Sequence, residues 1–208
     1  MKKHFFSLII PIFALSSILS CVGLQSKTTV EMPKPPETGV ESFQVPVHIM
    51  GSGKINAEKM AFFLLQNNLQ ADAGFVQTLM RLYIEESALE GVNHDVAFSQ
   101  MCLETGFLKY GNLVQFEWNN FCGLGAIGPE QPGLIFPDPR TGVRAHIQHL
   151  KAYATDEPLN LALVDPRYRY VRKGSSPTIE GLSGTWAADR QYAIKINEIL
   201  QRLYEFTF

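Results

Sequence analysis

An excess of charge of either sign is missing from this sequence. Its 208 residues hold 18 lysines and arginines against 20 aspartates and glutamates, a formal net charge of −2. That balance excludes a nucleic-acid binder, which carries a strongly basic face to neutralise phosphates. No internal repeat is present, which excludes a solenoid or propeller. A clean membrane span is also missing: the longest apolar stretch, Phe5 to Leu19, is broken by Pro11 and falls short of the about 20 residues that a span needs. Disorder of the whole chain is excluded by what is there. Hydrophobic residues make up 46%, and 14 Phe, 7 Tyr and 2 Trp supply enough aromatic area for a core. The length fits one domain of about 150 residues plus an appended segment.

That segment is at the start. Met1-Lys2-Lys3-His4 is basic, Phe5 to Leu19 is apolar, and Ser20-Cys21 closes the run, the layout of an export signal over residues 1–20. Ile18-Leu19-Ser20-Cys21 resembles a bacterial lipobox, in which the Cys is lipidated and becomes the mature N-terminus. Loss of Lys2 and Lys3 with the signal would take the net charge from −2 to −4. Residues 21–52 read as a tether: Pro33, Pro35, Pro36 and Pro46 are spread among Ser, Thr, Gln and Glu, and no apolar period survives. The expectation is a folded domain, residues 53–208, held at the cell envelope by a lipid on Cys21, on the outer membrane or cell surface.

From Asn56 the pattern turns helical. Met60, Phe63, Leu64 and Leu69 mark a helix over residues 57–70. Asp72 caps a second, with Phe75, Val76, Leu79, Leu82 and Tyr83 at steps of three and four, ending near Gly91. Asn93 or Asp95 caps a third, from Val96 to Thr105, stopped by Gly106. Helices are further expected over residues 140–154 and 189–206. Between the third and fourth, Gly123, Gly125, Gly128 and Gly133 alternate with Pro129, Pro132, Pro137 and Pro139, the texture of loops with a small sheet or hairpin.

Glu104 stands out in that pattern. On the third helix it shares a face with Ala97 and Met101, so a carboxyl group sits on the buried stripe. It also lies in the last turn, where the negative pole of the helix disfavours a carboxylate. Both effects raise its pKa and hold a proton ready near neutral pH, as a general acid requires. The same pattern also suits a Glu that reaches the helix end or pairs with an Arg.

The segment Val96-Ala97-Phe98-Ser99-Gln100-Met101-Cys102-Leu103-Glu104-Thr105-Gly106-Phe107 resembles the helix of the bacterial glucosaminidase domain, glycoside hydrolase family 73. Trp118-Asn119-Asn120-Phe121-Cys122-Gly123 is similar to that family's Asn-Asn-x-x-Gly segment, and Trp186-Ala187-Ala188-Asp189-Arg190-Gln191-Tyr192-Ala193 to its Ala-x-Asp-x-x-Tyr segment. The three occur in the family's order, and the resemblance covers residues 55–204. The resemblance implies an α+β, mainly α, lysozyme-like helical domain with a small β lobe. It implies hydrolysis of the β-1,4 bond after N-acetylglucosamine in peptidoglycan, with Glu104 as proton donor and Tyr192 across from it. Asn119, Asn120, Gly123, Trp186 and Tyr192 would line the substrate groove. A partner carboxylate is expected in the β lobe. Glu117, Glu130 and Asp138 are the candidates, with Glu130 ahead because it lies in the Gly/Pro-rich stretch; a route assisted by the substrate's own N-acetyl group would need none of them.

His146 and His149 have a spacing on one helix that suits a metal, yet no third ligand accompanies them, so neither metal nor cofactor is expected. Cys102 and Cys122 remain as a pair once Cys21 is lipidated; they form either a bridge or two separately buried thiols. The set Asp165, Arg167, Tyr168, Arg169, Tyr170 and Arg172 reads as a solvated loop or as a binder of acidic glycan or peptide stems. A monomer is expected. Two other readings stay open: a cell-wall amidase, which would normally need a metal site, and a binding lipoprotein without catalysis.

Overall fold

Five α-helices form where the apolar spacing and the caps ask for them, in a computed structural model that describes residues 44–111 and 113–208. The export signal, Cys21 and the tether up to residue 43 lie outside the described residues. Helix α1 (Ala57–Asn67) starts on the Asn56 side chain, which accepts the Lys59 N–H, and buries Met60, Ala61, Phe63 and Leu64. It stops short of residue 70. The Asn67 amide turns back to donate to the Phe63 carbonyl and that of Asn68 donates to Phe107 O, side-chain bonds that compete with helix continuation. Helix α2 (Ala73–Glu90) runs from the Asp72 cap to Gly91, which ends it in a left-handed conformation at φ 75°.

Helix α3 (His94–Thr105) is capped by Asn93, whose Oδ1 accepts from the N–H groups of Asp95 and Val96. Asp95 serves elsewhere. Its buried carboxylate accepts from the N–H groups of Lys54 and Ile55 and from the Tyr204 hydroxyl, tying the entry segment to the last helix. Nine of the 12 residues of α3 are buried, so Glu104 stands at the end of an enclosed helix. Helix α4 (Pro139–Ala154) lies against α2, and α5 (Tyr192–Thr207) against α3. Residues before Tyr192 stay in a turn, because the Asp189 carboxylate accepts the Gln191 N–H and the Lys195 ammonium instead of starting the helix. Among the described residues no helix is long and apolar enough to cross a membrane.

Two sets of ion pairs on buried carboxylates brace α4 on α2. Lys151 donates to Glu90 at 2.9 Å, and Arg140 and Arg144 both reach Glu86 at 2.7 Å. Removing one partner of such a pair leaves an uncompensated charge, so the register of α4, and with it His146 and His149, is held firmly.

The stretch between α3 and α4 forms a lobe of turns. The expected sheet or hairpin is reduced to one antiparallel bridge, Gly128 with Gln131, and among the described residues no strand extends it. Pro129, Pro132 and Pro137 have no N–H to offer a ladder, and Gly123, Gly125 and Gly133 take positive φ. The molecule is thus mainly helical with little strand.

The folded domain begins earlier than residue 53. Ile49 is wholly buried; its N–H donates to Pro177 O and its carbonyl accepts the Asn93 N–H, while Val45 packs on the same core. A chain starting at Gly53 should therefore be less stable than one starting at Gln44 by at least the about 1.5–3 kcal/mol that burying one Ile supplies. Urea unfolding of the two checks this, and equal stability contradicts it.

Candidate active site

Glu104 is gripped on one side only. The Tyr192 hydroxyl and the Trp186 indole N–H (3.1 Å) both donate to its Oε1. Its Oε2 has no partner among the described residues and is not sealed off; a Cβ built on Gly123 would stand 3.4 Å from it. A carboxyl group whose Oε1 accepts two hydrogen bonds as a carbonyl keeps its proton on Oε2. Burial pushes the Glu104 pKa up, and the Tyr192 and Trp186 hydrogen bonds offset part of that rise. In the protonated form the proton is therefore on the oxygen that lies towards Gly123.

Behind Tyr192 runs a chain of hydrogen bonds. Gln100 Nε2 donates to the Tyr192 oxygen at 2.8 Å, and Gln100 Oε1 accepts from His146 Nε2 at 2.9 Å. With its proton on Nε2, His146 can only accept at Nδ1, and the Tyr83 hydroxyl donates there at 2.9 Å. Burial, with the neighbouring His149, pushes the His146 pKa down to about 3, so the ring stays neutral. Burial and then the Glu104 charge push the Tyr192 hydroxyl well up, so it remains a donor. Each donor direction fixes the next, and Tyr192 is held aimed at Glu104.

Two cavities flank Gly123. One of about 180 Å³ is lined by Glu104, Tyr110, Leu113, Val114, Gly123 and Ala126. The other, of about 290 Å³, is lined by Cys122 to Ile127 on one side and by His149, Tyr153, Arg167, Thr185 and Trp186 on the other. They share Gly123 and Ala126. Hollows of about 510 Å³ elsewhere, at Asn56 to Arg81 and at Asn68 to Phe116, contain no carboxyl group that burial has raised. The Glu104 groove is therefore the place where an acid, aromatic rings and open backbone meet.

The wall of the groove is built by Asn120. Its wholly buried side chain accepts the Leu124 N–H at 2.9 Å and donates to the carbonyls of Leu124 and Leu134, both at 3.0 Å. Asn119, in the left-handed region at φ 52°, donates to Phe136 O. Their turn sits directly on α4 at Gly142, where a Cβ would come 1.8 Å from Asn119 O. Gly at that helix position is what lets the loop dock.

Residues 80–205 match the glucosaminidase family, described as mannosyl-glycoprotein endo-beta-N-acetylglucosaminidase. The chain belongs to this family. As a glucosaminidase it is a glycoside hydrolase. A protein of Borreliella burgdorferi, uncharacterised in function, is 42% identical over 158 residues, covering 76% of this chain and 78% of its own. Among solved structures, autolysin E of S. aureus in complex with the muropeptide NAM-L-Ala-D-iGlu aligns with a TM-score of 0.49 at 14% identity, covering 76% of this chain and 71% of that one. A catalytic mutant of the same autolysin with the disaccharide NAG-NAM aligns equally well.

Within this glucosaminidase the structure brings Glu104, Tyr192, Trp186 and Gly123 together. It does not bring the three carboxylates of the lobe to them. Glu117 and Glu130 are exposed, Glu130 beside the Gly128–Gln131 bridge, and none of the three lines either cavity. Asp138 caps α4: the Thr141 N–H and hydroxyl donate to it and hold its carboxyl below the usual range. Asn120, expected to line the substrate groove, is fully buried, and its four side-chain hydrogen bonds all go to backbone, so it shapes the loop. Cys102 and Cys122 are separate buried thiols, and no bridge joins them. Both His146 nitrogens already have partners, and among the described residues no group of three or more His, Cys, Asp or Glu is placed to hold a metal. Gln100, His146 and Tyr83 as one chain were not foreseen. The available signal was Gln100 one helical turn before Glu104, on the same buried face.

Proposed function

We propose that this glucosaminidase cleaves peptidoglycan strands at the β-1,4 bond after N-acetylglucosamine, with Glu104 as the general acid. The observation that supports the acid is the one-sided grip on Glu104: two donors on Oε1, an open Oε2 and a pKa raised by burial. The substrate class follows from the family's N-acetylglucosaminidase chemistry together with the expected export to the envelope, where peptidoglycan is the polymer rich in such bonds.

In this reading the sugar chain lies along the groove past Gly123, with the leaving oxygen at Glu104 Oε2. As the glycosidic bond lengthens, positive charge develops at the anomeric carbon, and Oε2 gives its proton to the departing oxygen. Trp186 and Tyr192 then stabilise the carboxylate left behind, since hydrogen bonds to an ionised acceptor are stronger than to a neutral one. The half-buried Trp186 ring offers an apolar face to a sugar.

Digestion of purified peptidoglycan, reduction with borodeuteride and mass spectrometry of the fragments test the cleavage site. Deuterated N-acetylglucosaminitol at every new end is expected. Deuterated N-acetylmuramitol would move the cut to the other bond, and free peptides without new sugar ends would make the protein an amidase. The lipid anchor belongs to the same proposal: labelled palmitate should enter the wild-type protein and not Cys21→Ser, and equal labelling of both would remove it.

A further inference from the structure

We propose that His149, oriented by Asp165, is the second catalytic residue, the base that takes a proton from the water attacking the anomeric carbon. The proposal rests on the glycosidase reading and starts from its gap: Glu117, Glu130 and Asp138 all stay out of the groove. His149 lines it.

The ring is held as a base should be. His149 Nδ1 donates to Asp165 Oδ2 at 2.7 Å, and the Asp165 side chain is fully buried. The other Asp165 oxygen accepts the Arg167 N–H at 2.8 Å, and the Asp165 N–H is turned towards Gln148 Oε1, so the carboxylate has one orientation. With its proton on Nδ1, the imidazole presents a lone pair at Nε2. That atom has no hydrogen-bond partner among the described residues, is not sealed from solvent, and belongs to a residue that lines the 290 Å³ cavity. A buried carboxylate on Nδ1 fixes the tautomer and stabilises the imidazolium that forms when Nε2 takes a proton. The other polar side chains of the cavity are less suited. Tyr153 donates its hydroxyl to Thr185 O, and the Arg167 guanidinium, stacked over Tyr170, has no lone pair to offer.

Trp186 touches both groups. Its indole N–H is 3.1 Å from Glu104 Oε1, and its ring centroid is 4.9 Å from that of His149. A base acting on water, as in inverting glycosidases, stands about 6.5–9.5 Å from the acid, against about 5–5.5 Å where the second group attacks the sugar itself.

The step balances. The water oxygen bonds to the anomeric carbon while its proton passes to His149 Nε2. The bond from that carbon to the leaving oxygen breaks, and that oxygen receives the Glu104 proton. An imidazolium and a carboxylate remain, and one proton carried by solvent from the first to the second restores both. Attack from the face opposite the leaving group turns the β bond into an α product.

The test uses the full chain on purified glycan strands. Proton NMR in the first minutes of wild-type digestion should show the α anomer before mutarotation; the β anomer first would overturn the proposal without any variant. His149→Ala, checked for folding by circular dichroism, should lose about 10²–10⁴ in kcat with little change in KM. Sodium azide, a nucleophile that needs no base, should restore its turnover and yield the α-glycosyl azide. Wild-type turnover by His149→Ala would overturn the assignment, as would a loss that azide leaves unchanged with KM raised, since that describes a residue binding sugar. Asp165→Asn should fall between the two proteins and respond to azide in the same way. Unimpaired cleavage by Glu104→Gln strikes the glycosidase reading itself, whereas retention, or an active His149→Ala beside an inactive Glu104→Gln, removes this proposal alone.

Discussion

Glu104→Gln should lower the rate of glycan cleavage by about 10²–10⁴, the contribution of a positioned general acid, while leaving the fold intact. Gln keeps the shape of the side chain, and its Oε1 can still accept from Tyr192 and Trp186. Only the proton on the second position becomes undeliverable. The stability effect has a definite sign. Burial raises the folded-state pKa of Glu104, so ionisation is disfavoured in the fold relative to the unfolded chain. Below the unfolded carboxylate value of about 4.3 the residue is protonated in both states and costs nothing. As pH rises through that value towards the raised folded one, the wild-type protein is progressively destabilised and the Gln variant is not. The melting temperature of Glu104→Gln minus that of wild type should therefore grow between pH 4 and pH 8. A difference that shrinks would mean the carboxylate is stabilising where it stands.

Gly142→Ala should be the most damaging single methyl that can be added near the site. In the interior of a helix, replacing Gly by Ala ordinarily stabilises by about 0.5–1 kcal/mol. At Gly142 the new Cβ falls 1.8 Å from the backbone oxygen of Asn119, and a backbone atom cannot swing aside as a side-chain end can. The cost should exceed the about 1–3 kcal/mol of ordinary overpacking, so the sign is reversed. Activity should fall with stability, because the Asn119–Asn120 turn carries the loop that sets Gly123 against Glu104 Oε2. Thermal unfolding and a glycan assay on the same preparation check both parts. A variant as stable as wild type would show that the turn does not rest on α4.

Much of the helical frame was legible because its signals are local. Asp72, Asn93, Gly91 and Gly106 mark helix ends through caps that act within four residues, and the apolar steps of α2 and α5 survive in sequence. Glu104 was legible for the same reason, as a carboxyl on a buried stripe. What stayed hidden depends on contacts across the chain. Gln100 meets His146 over 46 positions and His146 meets Tyr83 over 63, and no periodicity encodes which buried polar groups will pair. The pairing of His149 with Asp165 needs the loop after α4 to fold back, so the two appeared separately, one as a metal candidate and the other within a charged stretch. Asn120 shows the opposite limit. A motif tells that an Asn matters, but only its neighbours tell that its side chain is spent on backbone.

The central claim, that Glu104 serves by giving a proton to the leaving oxygen, is tested most directly by changing the leaving group. The ratio of wild-type to Glu104→Gln turnover should be measured on glycan strands and on a dinitrophenyl glycoside of an N-acetylglucosamine oligomer. The sugar leaving group needs a proton and the dinitrophenolate does not. The account predicts a ratio of about 10²–10⁴ on the strands and one close to unity on the aryl glycoside. An equal ratio on both substrates would contradict it, because Glu104 would then be acting on something other than the departing oxygen.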